Sequence, residues 1–165
     1  MAKDVALIVG GGPGISASCA RLFAKSGMHV GIAARTPDKP VLQNLEKMHG
    51  VRRYACDASE PAAVELLFQN VVRDLGAPTL VVHNIDGRVA GIFRKGIIEA
   101  DPGMALETLR GSAFSAFLVG QQAARLMLEN EPSANGAKGT IIFTNASAAL
   151  KGFPTSGAFA MACQA

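Results

Sequence analysis

DVALIVGGGPGIS (residues 4–16) starts as a short run of branched apolar side chains and leads directly into four glycines interrupted by one proline. An apolar run of this length that is bounded by glycine is typical of a strand buried on both faces, as parallel sheets require. A helical pattern of apolar residues begins inside the glycine cluster. The stretch therefore predicts a strand, a tight turn and a helix in direct succession.

The alternation of strand and helix patterns continues along the whole chain. The first helix is predicted at 15–27, where Ile15, Cys19, Leu22 and Phe23 share one face and Gly27 ends the helix. Further strands are predicted at 28–35, 51–57, 78–84 and 139–147, and further helices at 41–50, 59–76 and 101–128. This order predicts a parallel α/β sheet with right-handed crossover connections.

Two helix starts carry recognisable signals. We expect Ser59 to cap the helix at 59–76, with Pro61 in its first turn. Asp101 and Pro102 are expected to open the long helix that continues to Leu128.

Composition narrows the classes of function. The 165 residues are 49% apolar and 18% charged, which predicts one globular domain rather than a disordered chain. The net charge of +3 is not concentrated in a Lys/Arg cluster, so we expect no nucleic-acid partner. No segment reaches the roughly 20 apolar residues of a membrane span. Three scattered cysteines without a C-x-x-C pair indicate reduced thiols in the cytoplasm, and we expect no metal site.

The glycine-rich turn has a mechanical explanation. Between a strand and a helix, Gly10, Gly12 and Gly14 allow a tight turn and let the backbone approach a pyrophosphate, which the helix N-terminus attracts. The alternative is that the glycines serve only the sharp turn.

From this turn onward the chain resembles the short-chain dehydrogenase/reductase family, whose loop reads T-G-x-x-x-G-x-G. Gly10 and Gly14 match its first two glycines, Val9 replaces the Thr, and Ser16 follows Ile15 in place of the last Gly. Serine at that position can still form a hydrogen bond, so the resemblance implies that phosphate binding is preserved.

Further matches follow in the family's order and extend over essentially the whole chain. Asp57 and Ala58 fall where the family contacts the adenine, and Asn84 is retained from an N-N-A-G motif that here reads His83-Asn84-Ile85-Asp86. The resemblance implies a Rossmann-type, doubly wound parallel sheet. It also implies cofactor contacts from Gly10, Gly12, Gly14, Ile15, Ser16, Arg35, Thr36, Asp57, Ala58 and Asn84.

The end of the second strand indicates which cofactor is bound. NAD enzymes of this architecture usually place a carboxylate there, on the ribose 2′-hydroxyl. Arg35 stands there instead, followed by Thr36 and, farther on, by Lys39. A guanidinium suits a 2′-phosphate, so we expect NADP(H) rather than NAD(H). The alternative is a solvated arginine in a surface loop.

The family's catalytic set is a Tyr, a Lys that follows it after three intervening residues (Y-x-x-x-K), a Ser and an Asn. Laying the pattern on this chain places Phe159 on the Tyr, Cys163 on the Lys and Ser112 on the Asn. Ala146 falls on the Ser, with Ser147 adjacent. We expect Ser147 either to hold a substrate carbonyl or to be a capping hydroxyl. His83 is either a base near the nicotinamide or a structural histidine.

Three functions remain open. The first is an NADP(H)-dependent oxidoreductase with altered catalytic residues, acting on an activated carbonyl or a conjugated double bond. The second is a non-catalytic NADP(H)-binding or regulatory protein, and the third is a structural partner. The long helix of this chain has small residues beside Phe114 and Phe117. In the family the corresponding helix packs against its symmetry mate, so the resemblance implies a homo-oligomer. Family members continue beyond the fifth strand, so we expect a fragment of a longer chain rather than a naturally short protein.

Overall fold

The structure is a computed structural model that describes residues 4–92, 94–153 and 155–165. These residues contain one parallel sheet of five strands in the order β3-β2-β1-β4-β5. The strands are β1 (Val5–Val9), β2 (His29–Ala34), β3 (Val51–Ala55), β4 (Leu80–His83) and β5 (Thr140–Phe143). The parallel, doubly wound sheet predicted from the sequence is confirmed.

Helices cover both faces of this sheet. They are α1 (Ile15–Lys25), α2 (Pro40–Glu46), α3 (Pro61–Leu75), α4 (Pro102–Leu109), α5 (Ser115–Glu129) and α6 (Gly157–Gln164). A π-helical segment, Arg110–Phe114, joins α4 to α5, and 3₁₀ turns occupy Ala90–Ile92 and Ser147–Ala149. No helix in the described ranges is long and apolar enough to cross a bilayer.

The two core layers follow from the alternation of side chains along the central strand β1. Val5, Leu7 and Val9 join the cluster that includes α3 and α5, whereas Ala6 and Ile8 join the cluster that includes α1 and α2. Fully burying each of the larger side chains stabilises the fold by about 1.5–3 kcal/mol. Apolar residues at every position of β1 are therefore what a sheet covered on both faces requires.

Helix α1 departs from the face predicted for it. Cys19 and Phe23 pack against the core, but Ile15 is 56% and Leu22 is 61% exposed. The small residues Ala17 and Ala20 face the sheet instead. The helix ends before Gly27, as predicted, and φ of +89° there explains the need for glycine.

Of the two predicted helix starts, the one at Asp101 is confirmed and the one at Ser59 is corrected. The helix opens at Asp101 and Pro102 as predicted, and the Asp101 carboxylate caps α4 by accepting a hydrogen bond of 2.9 Å from the Met104 N–H. The cap predicted at Ser59 is wrong: the helix begins after Glu60, and the Ser59 hydroxyl instead donates to Asp57 Oδ1 over 2.7 Å. The Ser59 hydroxyl is therefore directed toward Asp57, and it caps no backbone N–H of α3.

The long helix predicted at 101–128 is continuous but contains the π segment. Gly87 lies against that segment so closely that a Cβ on it would be 2.2 Å from Ser112 Oγ and 2.4 Å from the Gly111 carbonyl carbon. The loop after β4 can approach this helix only because residue 87 has no side chain.

Candidate functional site

A cavity of about 620 Å³, called here the glycine-loop cavity, opens at the carboxyl ends of β1, β2 and β4. In sheets of this topology ligands bind at that edge, where the strand order reverses. The predicted cofactor residues that line it are Gly10, Arg35, Thr36, Asp57, Ala58 and Asn84.

Gly10 occupies a position that only glycine can fill. Its φ is +106°, and a Cβ there would be 2.1 Å from the carbonyl oxygen of Asn84. Gly12 and Gly14 do not line the cavity, but both have open space where a side chain would be. Among the described residues, no side chain caps the N-terminus of α1. The loop therefore leaves the start of α1 accessible to an anionic group, which is the arrangement that binds phosphates.

Ser16 faces the protein rather than the cavity. It is 1% exposed, and its hydroxyl donates to the Gly10 carbonyl over 2.7 Å and accepts from Asn84 Nδ2 over 2.7 Å. Asn84 Oδ1 in turn accepts from Thr144 Oγ1 over 2.8 Å. This chain of hydrogen bonds joins the ends of β1, β4 and β5 to α1. Ile15 is also absent from the lining of the glycine-loop cavity and contributes to a second cavity instead.

Positive charge gathers beside the second strand. Arg35, Thr36 and Lys39 are exposed and line the glycine-loop cavity next to Asp57. Hydrogen bonds from the Ser59 side chain and backbone, with the nearby charges of Arg35 and Arg110, hold the pKa of Asp57 below its usual value. Asp57 is therefore an ionised acceptor at neutral pH.

A second cavity of about 800 Å³, called here the α5–β5 cavity, is bounded by α5, β5 and α6. Ser112, Phe159 and Cys163, the residues aligned with the family's Asn, Tyr and Lys, all line it. Ala146 lines it too, but Ser147 does not: it is exposed at the start of a 3₁₀ turn. Of the predicted catalytic positions, Ser147 is thus the one that the structure does not bring to the cavity.

Asp86 and Arg88, which sequence reasoning missed, line both cavities. Arg88 Nε donates to Asp86 Oδ1 over 2.8 Å, and its Nη2 donates to Oδ2. The guanidinium carbon lies 4.6 Å from the centroid of the Phe159 ring. The hydrogen bonds from Arg88 keep the pKa of Asp86 low. The only signal in the sequence was a carboxylate and a guanidinium two residues apart after the fourth strand.

His83 is a buried, neutral residue. It is 3% exposed, and its Nε2 lies 2.9 Å from Ser115 Oγ, next to the π segment. Burial lowers its pKa to about 4, so it carries no charge at neutral pH. This geometry favours the structural alternative for His83 over the base.

Cys163 and Ser112 are the residues aligned with the family's Lys and Asn. Burial raises the pKa of the Cys163 thiol, which opposes formation of the nucleophilic thiolate. Within the described residues, Ser112 Oγ is buried without a hydrogen-bond partner. No group of three or more His, Cys, Asp or Glu side chains there is placed to hold a metal ion.

A family model described as enoyl-(acyl carrier protein) reductase matches residues 10–165, which include the glycine loop, the lining of the α5–β5 cavity and all the strands but β1. The chain belongs to the short-chain dehydrogenase/reductase family. The family's nicotinamide-binding fold accounts for the strand order and for the position of the glycine-loop cavity.

Two curated relatives of this short-chain dehydrogenase/reductase are similar in sequence. An uncharacterized oxidoreductase of Mycobacterium bovis is 33% identical over 91 residues, covering 48% of this chain and 25% of its own length. Short chain aldehyde dehydrogenase 1 of Euphorbia lathyris is 26% identical over 152 residues, covering 91% of this chain and 50% of its own length. The chain thus spans half or less of these relatives.

Solved structures share the fold of this short-chain dehydrogenase/reductase. A variant of actinorhodin polyketide ketoreductase with NADPH has a TM-score of 0.85 at 22% identity, over 98% of this chain and 60% of the other. An NADH-dependent reductase complexed with NAD has a TM-score of 0.82 at 20% identity, over 98% of this chain and 68% of the other.

Proposed function

We propose that this chain is the cofactor-binding part of an NADP(H)-dependent oxidoreductase. The observation that carries the proposal is the meeting of Arg35, Thr36 and Lys39 at the glycine-loop cavity, opposite a glycine turn that leaves the start of α1 uncovered. A guanidinium, an ammonium and a hydroxyl form a donor set that matches a phosphate monoester.

The residues around the cavity fit an NADP(H) molecule. The open backbone at Gly12 and Gly14 would hold the pyrophosphate, Asp57 and the Ala58 backbone would hold the adenine, and Arg35 would hold the 2′-phosphate. When bound, the nicotinamide supplies hydride transfer. Asn84, fixed between Ser16 and Thr144, keeps the ends of β1, β4 and β5 in the register that this site needs.

The chemistry beyond cofactor binding differs from that of the family pattern. Phe159 has an aromatic ring but no proton to donate, and Cys163 has neither the charge nor the reach of a lysine. Loss of a general acid typically costs about 10²- to 10⁴-fold in rate. We propose that any reduction by this site uses an activated carbonyl or a conjugated double bond, whose product anion needs less help from a proton donor.

The same two residues support a second candidate function, a non-catalytic NADP(H)-binding protein. Phe159 has no ionisable proton, and burial raises the pKa of Cys163, which makes its thiol a weaker acid than an ordinary cysteine. A screen of activated carbonyl compounds and conjugated enones with NADPH separates the two candidates. Turnover favours the oxidoreductase, whereas cofactor binding without turnover favours the binding protein.

Cofactor choice can be tested with half of the dinucleotide. We expect 2′,5′-ADP to bind in calorimetric titrations at least about 10-fold more tightly than AMP, since charged hydrogen bonds contribute about 1.5–3 kcal/mol. Arg35→Ala should remove that preference. Arg21→Ala, which removes an exposed cation of α1 outside both cavities, is the matched control and should keep it. Equal binding of the two nucleotides by the wild type would contradict the proposal.

We also propose self-association through α5, as the family resemblance implies. Phe114 is 41% and Phe117 is 59% exposed, and their rings stack with centroids 6.4 Å apart. Light scattering at micromolar concentration tests this proposal. A monomer under those conditions would contradict it.

A further inference from the structure

We propose that Arg88 is the anion-binding residue of the α5–β5 cavity, and that this cavity accepts an apolar molecule carrying a carboxylate. The inference rests on the proposed function, because it names the substrate class of the same site. It starts from the position of Arg88, whose side chain lines both the glycine-loop cavity and the α5–β5 cavity.

The wall of the α5–β5 cavity is mainly apolar. Ala116 and Phe117 come from α5, Ile141 and Phe143 come from β5, and Phe159 and Ala162 come from α6. Its volume of about 800 Å³ lies in the range of small-molecule sites, about 300–1,000 Å³. Such a wall favours a hydrocarbon body over a sugar or a nucleotide.

The charged side chains of this wall are few. Among the described residues that line the cavity, Arg88 is the one Lys or Arg side chain and Asp86 is the one carboxylate side chain. His83, which also lines it, is neutral because burial lowers its pKa. The anionic group of a ligand would therefore bind at Arg88, where it meets the Asp86 carboxylate.

Asp86 already shows how a carboxylate sits on Arg88. Its two oxygens accept from Nε and Nη2 of the guanidinium, the paired geometry typical of arginine with carboxylates. The Asp86 side chain remains 57% exposed and the Arg88 side chain 33% exposed, so solvent reaches the pair. A ligand carboxylate would therefore compete with Asp86 for the guanidinium or share it.

Phe159 holds the guanidinium at this junction. The Arg88 carbon lies 4.6 Å from the ring centroid, within the distance at which a cation is attracted to an aromatic face. An aromatic ring at position 159 is thus useful without a hydroxyl, because its face positions the cation. Asp86 and Phe159 together fix the Arg88 side chain where the two cavities meet.

Because Asp86 and a ligand compete for Arg88, substitutions at these two residues should change the affinity for a carboxylate in opposite directions. The probes are trans-cinnamate and its neutral amide, titrated calorimetrically into the protein with and without saturating NADP⁺. We expect cinnamate to bind at least about 10-fold more tightly than cinnamamide. Arg88→Gln should abolish this preference, whereas Asp86→Asn should strengthen cinnamate binding by removing the competing carboxylate.

Lys151→Gln is the matched control, because Lys151 also lies over a ring, 5.2 Å from the centroid of Phe153, but lines neither cavity. It should leave both affinities unchanged. If circular dichroism shows that Arg88→Gln is unfolded, Arg88→Lys takes its place, and loss of the paired hydrogen bonds should shrink the preference.

The proposal would be overturned if the acid and the amide bound equally or if neither bound. It would also be overturned if the preference for the acid survived in the folded Arg88 variant. The same titrations separate it from the proposed function. NADP⁺ binding without discrimination between acid and amide would defeat only the anion site. Discrimination without NADP⁺ binding would defeat only the proposed cofactor function.

Discussion

The Arg88 guanidinium lies over the ring of Phe159, with its carbon 4.6 Å from the ring centroid. Phe159 stands where the family resemblance places the catalytic tyrosine, so a permanent cation already lies beside that position. Cys163, at the position of the family's lysine, carries no charge that would replace it. Arg88 is therefore a cation beside the position where the resemblance places the tyrosine.

Phe159→Tyr should create a working general acid. A cation next to a phenol favours the phenolate and lowers its pKa from the ordinary value near 10. We expect kcat/KM for NADPH-dependent reduction of an activated dicarbonyl compound to rise by about 10²-fold or more. Phe159→Tyr combined with Arg88→Gln should lose most of that gain. An unchanged rate in a Phe159→Tyr protein that still binds NADPH would contradict this assignment.

Gly10→Ala should destabilise the fold severely. A Cβ at Gly10 would be 2.1 Å from the Asn84 carbonyl oxygen, and φ is +106°. We expect a loss of about 3 kcal/mol or more in the free energy of unfolding, measured by urea denaturation. Gly12→Ala is the control, since its Cβ meets nothing within 4 Å. It should keep the stability within about 0.5 kcal/mol but weaken NADPH binding. Similar stability losses in both variants would be inconsistent with this geometry.

Ser16→Ala should cost about 1–3 kcal/mol of stability, because it leaves Asn84 Nδ2 and the Gly10 carbonyl without the hydroxyl they share. Ser18→Ala, on the exposed side of the same helix, should change stability by less than about 0.5 kcal/mol. Thermal unfolding of the two variants gives the comparison. If Ser16→Ala were as stable as the wild type, the hydrogen-bonded chain from Gly10 to Thr144 would not hold the sheet ends together.

His83 should make stability depend on pH. Its pKa is about 4 in the folded protein against an ordinary 6.5, so the unfolded chain binds the proton more readily. The contribution of the neutral side chain is therefore complete above pH 6.5 and is lost as the pH falls toward 4, by up to about 3 kcal/mol.

His83→Asn should flatten this part of the pH–stability curve, which urea unfolding between pH 4 and pH 7.5 measures. A His83→Asn curve as steep as that of the wild type would assign the acid sensitivity to other groups.

Local patterns were sufficient to predict a parallel sheet with alternating helices, and the family resemblance added its doubly wound form. The apolar run before Gly10 and the regular alternation of strands and helices leave few topologies, and Arg35 follows directly from the end of β2. Local patterns gave wrong predictions for side chains whose position depends on tertiary contacts. Ile15 is exposed because Ala17 and Ala20 bring α1 close to the sheet, and Ser59 binds Asp57 instead of capping α3.

The Arg88–Phe159 contact could not be predicted from the sequence. These residues are 71 positions apart and meet because the loop after β4 passes so close to the π segment that only Gly87 fits there. The burial of the Ser16 side chain could not be predicted from the sequence either, since its partner Asn84 lies 68 residues away. Periodicity describes which face a residue shares with its neighbours along the chain, but not which distant loop returns to it.

The measurement that tests the central claim most directly is a fluorescence titration of NADPH and of NADH into the wild type and into Arg35→Ala. The account predicts saturable NADPH binding that is at least about 10-fold tighter than NADH binding, with the difference lost in Arg35→Ala. Folded wild-type protein that binds neither nucleotide, or that prefers NADH, would contradict it.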